Sequence, residues 1–194
     1  MSHPHRLKAV VSILLVDCDL RRAQMHQRLG VPREPGFTDF FVRHEPLSAL
    51  LRPTAAANLF VLTAGPLPPN PPALLARKSL GDLLDELKRD FDWVLVDSPP
   101  LASVTDALLL ARHADHAVLV VQHNKVDKKL VKRSVAALRK ATPNLLGAVL
   151  NVVDVRARSY QYYYYPQQEG GKGPKPPAAD EGPAAKPEAR ATGA

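Results

Sequence analysis

Two nearly unbroken apolar runs in this chain end in aspartate. VVSILLV (Val10–Val16) meets Asp17, with Asp19 two residues on, and WVLV (Trp93–Val96) meets Asp97. A run without polar alternation has no face to give to water, so it reads as a strand buried on both sides, the pattern of a parallel sheet under helices. Shorter apolar runs at Leu59–Leu62, Ala117–Val121 and Leu146–Leu150 repeat the signal. Between them lie helical patterns. Leu20–Leu29 reads as a short helix ending near Gly30, and Gly36–Leu51 holds helical pieces. Leu74–Phe91 is the clearest helix, with Leu75, Leu80, Leu83, Leu84, Leu87 and Phe91 on one stripe. Thr105 reads as the cap of a helix reaching about Arg112, and Asp127–Ala141 as another helix. Gly65–Pro72 (GPLPPNPP) is expected to be a rigid loop, because proline fixes φ and removes donors. Strands alternating with helices predict an α/β domain of three layers around a mostly parallel sheet.

The domain is expected over residues 1–155. Residues 156–194 are expected to be a tail rich in Pro, Gly, Ala, Lys and Glu, a composition too poor in apolar side chains to fold alone. The net charge is +7, and Pro166–Ala194 carries four basic and four acidic residues, so the excess lies before it. Cys18 is the single cysteine, which excludes an intrachain disulfide and fits a reducing compartment. No apolar run approaches the roughly 20 residues of a membrane helix, and no signal peptide is read at the start. All five tyrosines, Tyr160, Tyr162, Tyr163, Tyr164 and Tyr165, fall in one window of six residues. A core spreads its aromatics. This cluster therefore reads either as a set of phosphoryl acceptors or as a sticky end that packs on a partner.

In open α/β sheets ligands bind at the carboxyl ends of strands. An aspartate there can hold Mg²⁺ against nucleotide phosphates, directly or through water. Asp17, Asp19 and Asp97 are placed for that, with helix caps and turns as the plain alternative. Asp106, in SVTDA, reads first as a helix cap. Arg21 and Arg22 suit a phosphate, a neighbouring subunit or a solvated face. The basic helix around Lys128, Lys129, Lys132, Arg133, Arg139 and Lys140 reads as a solvated face, with anionic lipid or an acidic partner as the alternatives. No nucleic-acid partner is expected, since no aromatic is interleaved for base stacking. His113 and His116 lack the further ligand a metal site needs. Cys18, between two carboxylates, should have a raised thiol pKa and a structural role.

Read in order, ILLVDCDLRR, GPLPPNPPALL, FDWVLVDSPPLASVTDALLLARHAD, AVLVVQ and LGAVLNVVD resemble the bacterial tyrosine kinases of capsule and exopolysaccharide production, relatives of the MinD/ParA-type P-loop ATPases. The resemblance implies a P-loop NTPase-like fold using ATP and Mg²⁺. Asp17 and Asp19 would serve the metal and the incoming phenol, Asp97 would hold Mg²⁺ through water, and Asn151 would contact the adenine. The five tyrosines would be the phosphoacceptors. It also implies a homo-oligomer, cytoplasmic and peripheral at the inner face of the membrane, held there by a transmembrane polysaccharide copolymerase. One departure is large. The family's glycine-rich loop ends in Gly-Lys-Ser/Thr, and its amides and lysine cradle phosphate. Here the only Gly-Lys pair, Gly171-Lys172, is followed by Gly173. The expectation is a P-loop domain truncated at its N-terminus that binds ATP poorly. It would be an autokinase module inactive as this chain, or a pseudo-kinase phosphorylated in trans, or a MinD/ParA-like ATPase.

Overall fold

A computed structural model describes residues 11–142 and 144–153, all within the compact unit Met1–Val153. The first strand, β1 (Ile13–Asp17), carries Leu14 and Val16 fully buried on one face. Helix α1 (Met25–Leu29) is shorter than the sequence predicts. Residues 20–24 stay out of it because the Asp19 carboxylate accepts the amides of Arg21 and Arg22 at 3.1 and 2.9 Å, a local turn that competes with helix. Helices α2 (Phe37–Val42) and α3 (Leu47–Leu50) follow, then β2 (Leu51–Pro53) and β3 (Leu59–Leu62). The expected single helix from Leu74 is two. Asn70 caps α4 (Pro71–Leu75) by accepting the Ala73 amide, and α5 (Ser79–Asp90) begins anew after residues 76–78. The proline loop therefore ends inside α4, where Pro71 and Pro72 are tolerated in the first turn. The rest is β4 (Trp93–Asp97), α6 (Asp106–Ala111), β5 (Ala117–Gln122), α7 (Lys128–Ala141) and β6 (Leu145–Asn151).

The strands form two sheets. The first has the order β2-β3-β1-β4, parallel except for β2, which pairs antiparallel with β3. The second is the parallel pair β5-β6. Leu80, Leu83, Leu84 and Leu87 of α5 pack in one core with Leu14, Val16 and Leu62 and with Phe37 and Phe41 of α2. Apolar burial of this kind contributes about 1.5–3 kcal/mol per large side chain. Gly36 and Gly65 let two loops cross here: a Cβ on Gly36 would lie 2.3 Å from the Thr63 carbonyl oxygen.

The expectation of strands buried on both faces fails for half of them. Trp93 and Leu95 of β4 are 60% and 50% exposed, Val118 and Val120 of β5 are 52% and 61% exposed, and β6 is exposed along nearly its whole length. The reason is that nothing among the described residues covers these faces, which a parallel sheet ordinarily gives to packed helices. Among the described residues β4 bonds only to β1 and β5 only to β6, so each also has one unpaired edge.

Candidate functional site

The carboxyl ends of β1 and β4 meet. Asp17 and Asp97 are direct partners in the parallel ladder, and the amide of Cys18 donates to the Asp97 carbonyl oxygen at 3.0 Å. In-register residues of parallel strands point to the same face, so both carboxylates stand opposite the face of Val16 and Val96 that meets the core. Asp19 follows two residues after Asp17, and its amide donates to Asp17 Oδ1 at 3.2 Å. The turn at Asp19 then sends the chain into α1, whose Met25 amide donates to Asp17 Oδ2 at 3.3 Å.

These contacts divide the work among the aspartates. Asp17 is 1% exposed, with both oxygens engaged by backbone amides. Burial pushes its pKa above the ordinary carboxylate value; the two amides pull it back, and Asp97 and Asp19 add repulsion. Asp97 is open to water, yet loss of part of its hydration shell among its neighbours raises its pKa too. The Ser98 amide and the Arg28 guanidinium oppose this rise, and Asp19 repels. Burial first, then the carboxylates of Asp17 and Asp97, push the Cys18 thiol well up; the direction is the one its sequence position predicts, but the second carboxylate is Asp97 across the ladder rather than its chain neighbour Asp19.

A cleft of about 310 Å³ opens at this rim, lined by Asp19, Arg22, Gln24, Met25, Arg28 and Asp97. Among the described residues no group of three or more His, Cys, Asp and Glu side chains converges to enclose a metal. Magnesium asks for less: one or two carboxylates, with water and phosphate oxygens completing its octahedron. Asp19 and Asp97, on the cleft wall, fit such a partly hydrated ion. Asp17 lies behind them and raises the local negative potential.

Asp106 is not the helix cap that its sequence position suggests. It is the first residue of α6, is fully buried, and accepts from Arg21 Nε at 2.9 Å and from a terminal guanidinium nitrogen at 3.2 Å. That fork ties the loop after β1 to α6, and it raises the Arg21 pKa. Thr105 occupies the cap position without a side-chain bond. Asn151 ends β6, is exposed, and spends its side-chain oxygen on the Val152 amide; it does not line the cleft. The five tyrosines lie outside the described residues. Gln24 and Arg28 are cleft residues that the sequence reading passed over. A helix running from Leu20 would have set Arg21 and Arg28 on one face; the turn at Asp19 puts Arg22 on the cleft instead.

The sequence is 37% identical over 152 residues to the putative tyrosine-protein kinase CapB of Staphylococcus aureus, covering 78% of this chain and 67% of CapB. The chain belongs to the bacterial tyrosine kinases. It is also 33% identical over 174 residues to the tyrosine-protein kinase Wzc of Salmonella typhimurium, where it spans 24% of that protein. No family model matches the sequence. Among solved structures, the kinase domain of the Escherichia coli tyrosine kinase ETK superposes with a TM-score of 0.70 at 32% identity, over 74% of this chain and 56% of that one. MinD of Pyrococcus horikoshii superposes with a TM-score of 0.60 at 22% identity, over 72% of this chain and 57% of that one, a likeness of fold. The chain thus spans two thirds of CapB and little more than half of the solved ETK chain. The fold is the α/β, largely parallel architecture of these P-loop proteins.

Proposed function

We propose that this chain is a tyrosine-kinase module of capsule or exopolysaccharide synthesis whose metal-handling rim is complete and whose phosphate cradle is not. The observation that carries the reading is the register of β1 on β4, which sets Asp17 beside Asp97 with Asp19 at the mouth of the same cleft. In that role Asp19 and Asp97 hold a hydrated Mg²⁺, Asp17 supports them from behind, and Asp19 also receives the proton of an incoming phenol. Magnesium supplies charge neutralisation for the transferring phosphoryl group, which is most of what such transfer asks of a protein. Tyr160, Tyr162, Tyr163, Tyr164 and Tyr165 are the acceptors, and Asn151 is a candidate adenine contact. The partner is a transmembrane polysaccharide copolymerase, which would hold a homo-oligomer at the inner face of the membrane. Among the described residues no helix is long and apolar enough to cross it.

No Gly-Lys-Ser/Thr loop occurs in these 194 residues. Without its amides and lysine, the β- and γ-phosphates lose most of their binding energy, so the chain alone binds ATP weakly. That favours the second reading, a non-catalytic module phosphorylated in trans. Phosphotyrosine is measured after incubating the purified chain with Mg-ATP, alone and with a competent tyrosine kinase of the family. The expected result is label only in the mixture, lost when the five tyrosines become phenylalanine. Label in the chain alone would overturn the weak-binding reading. No label in either reaction would remove the acceptor role. A MinD-like ATPase would instead turn over ATP with its tyrosines unmodified.

A further inference from the structure

Arg21 and Arg22 are neighbours with opposite commitments. Arg21 gives its guanidinium to buried Asp106. Arg22 turns to the cleft, and Arg28, one turn into α1, joins it there. Among the described residues, the Arg22 and Arg28 guanidiniums make no hydrogen bond or ion pair, although both share about 310 Å³ with two carboxylates. The charges on the wall balance: two arginines against Asp19 and Asp97. Buried Asp17 behind them tips the sum to one negative charge. A divalent cation on the carboxylates reverses it to one positive charge, and an anion is then attracted to the arginine side. Met25 is the only apolar side chain in the lining, and no aromatic ring is there for a nucleobase to stack on. The remaining chemistry is that of a small, highly charged oxyanion, and a guanidinium fork matches the edge of a phosphate group.

We propose that Arg22 and Arg28 form the oxyanion half of the Asp19–Asp97 cleft, holding a phosphoryl group whose other oxygens face a divalent cation on the carboxylates. The assignment deepens the kinase reading. It rests on that reading for the cation, while the arginines stand on their own geometry. They hold charge in place and take no part in bond making. Arg28 also shares the cleft wall with Asp97, but no ion pair joins them, so its guanidinium is left for the phosphoryl oxygens.

Pyrophosphate binding to the full chain is measured by calorimetry in saturating Mg²⁺ and in EDTA, and metal binding separately with Mn²⁺ by electron paramagnetic resonance. The wild type is expected to bind pyrophosphate at least about tenfold more tightly with Mg²⁺ than without it. Arg22→Gln and Arg28→Gln should each lose about 10- to 100-fold, the range for one charge-assisted bond, while keeping wild-type Mn²⁺ binding. Arg28→Lys, which keeps the charge and loses the fork, should fall between. Both arginines are exposed, so these variants keep the fold. Pyrophosphate affinity unchanged in both Gln variants, or no binding by the wild type at millimolar concentration with Mg²⁺, overturns the assignment. Asp97→Asn should lose Mn²⁺. If it does not, the cation half and the kinase reading fall, and loss of pyrophosphate in the arginine variants still separates the two claims.

Discussion

Asp97 shows how a charge cluster is held at a cost. Both Asp17 and Asp97 have pKa values raised in the folded protein, so the native state binds protons that the unfolded chain releases. The sign follows: stability falls as pH rises from the ordinary value of 3.8 through the raised values, and stays lowered above them. Asp97→Asn removes one member of the cluster. Its thermal melting should match wild type below that window and exceed it above, and Mg²⁺ should narrow the gap by stabilising wild type alone. Equal melting temperatures at neutral pH without metal would show that partial burial of the Asp97 carboxylate beside Asp19 carries no cost. At Arg21 the opposite imbalance applies. Arg21→Ala strands the buried Asp106 carboxylate, whereas Arg21→Met with Asp106→Leu removes both charges. The single variant should melt lower than the double one. The reverse order would mean that water reaches Asp106.

At the scale of elements, the helices are set by local chemistry more than by their apolar stripe. The stripe from Leu75 to Phe91 is real: Leu75, Leu80, Leu83, Leu84 and Leu87 are all buried. A stripe does not say where a helix breaks, and the cap at Asn70 with two following prolines starts a separate turn that the longer pattern conceals. The same holds after β1, where an aspartate-centred turn replaces a helix that periodicity alone predicts. The crossing of Gly36 over Gly65 had no sequence signal beyond the glycines themselves. Gly36→Ala should cost about 2 kcal/mol or more, read from urea unfolding, because backbone atoms on both sides have no room to yield. Leu83→Ala, fully buried in α5, should cost about 2–5 kcal/mol. A Gly36→Ala variant as stable as wild type would mean that the two loops separate readily.

At the scale of the whole molecule, the apolar strand faces that lie uncovered among the described residues dominate. Trp93 is the single tryptophan, and it stands 60% exposed on the uncovered face of β4 beside Leu95. Contiguous apolar surface of this kind on a parallel sheet, which ordinarily carries helices on both faces, favours association. Its fluorescence should therefore peak toward the red and be readily quenched by acrylamide in dilute protein, then shift blue as concentration rises. A blue, unquenchable emission at all concentrations would show the face covered. Charge acts at this scale too. Each phosphotyrosine adds roughly −1.5 to −2 charges, so full modification of the five tyrosines would more than cancel the net +7. Phosphorylation is therefore expected to change self-association, and identical sedimentation of the unmodified and phosphorylated chain would count against this.

The sequence by itself determined the alternation of strands and helices, the placement of acidic residues at the ends of two strands, and the absence of a Gly-Lys-Ser/Thr loop. Each is a property of neighbours along the chain, set by burial periodicity and residue chemistry. Only the tertiary structure decided that Asp17 lies opposite Asp97, that Arg21 pairs with Asp106 while Arg22 lines the cleft, and that, among the described residues, β4 and β5 each have one unpaired edge. Those depend on strand register and on which partners meet across tens of residues, and the apolar run of an edge strand reads the same as that of a central one.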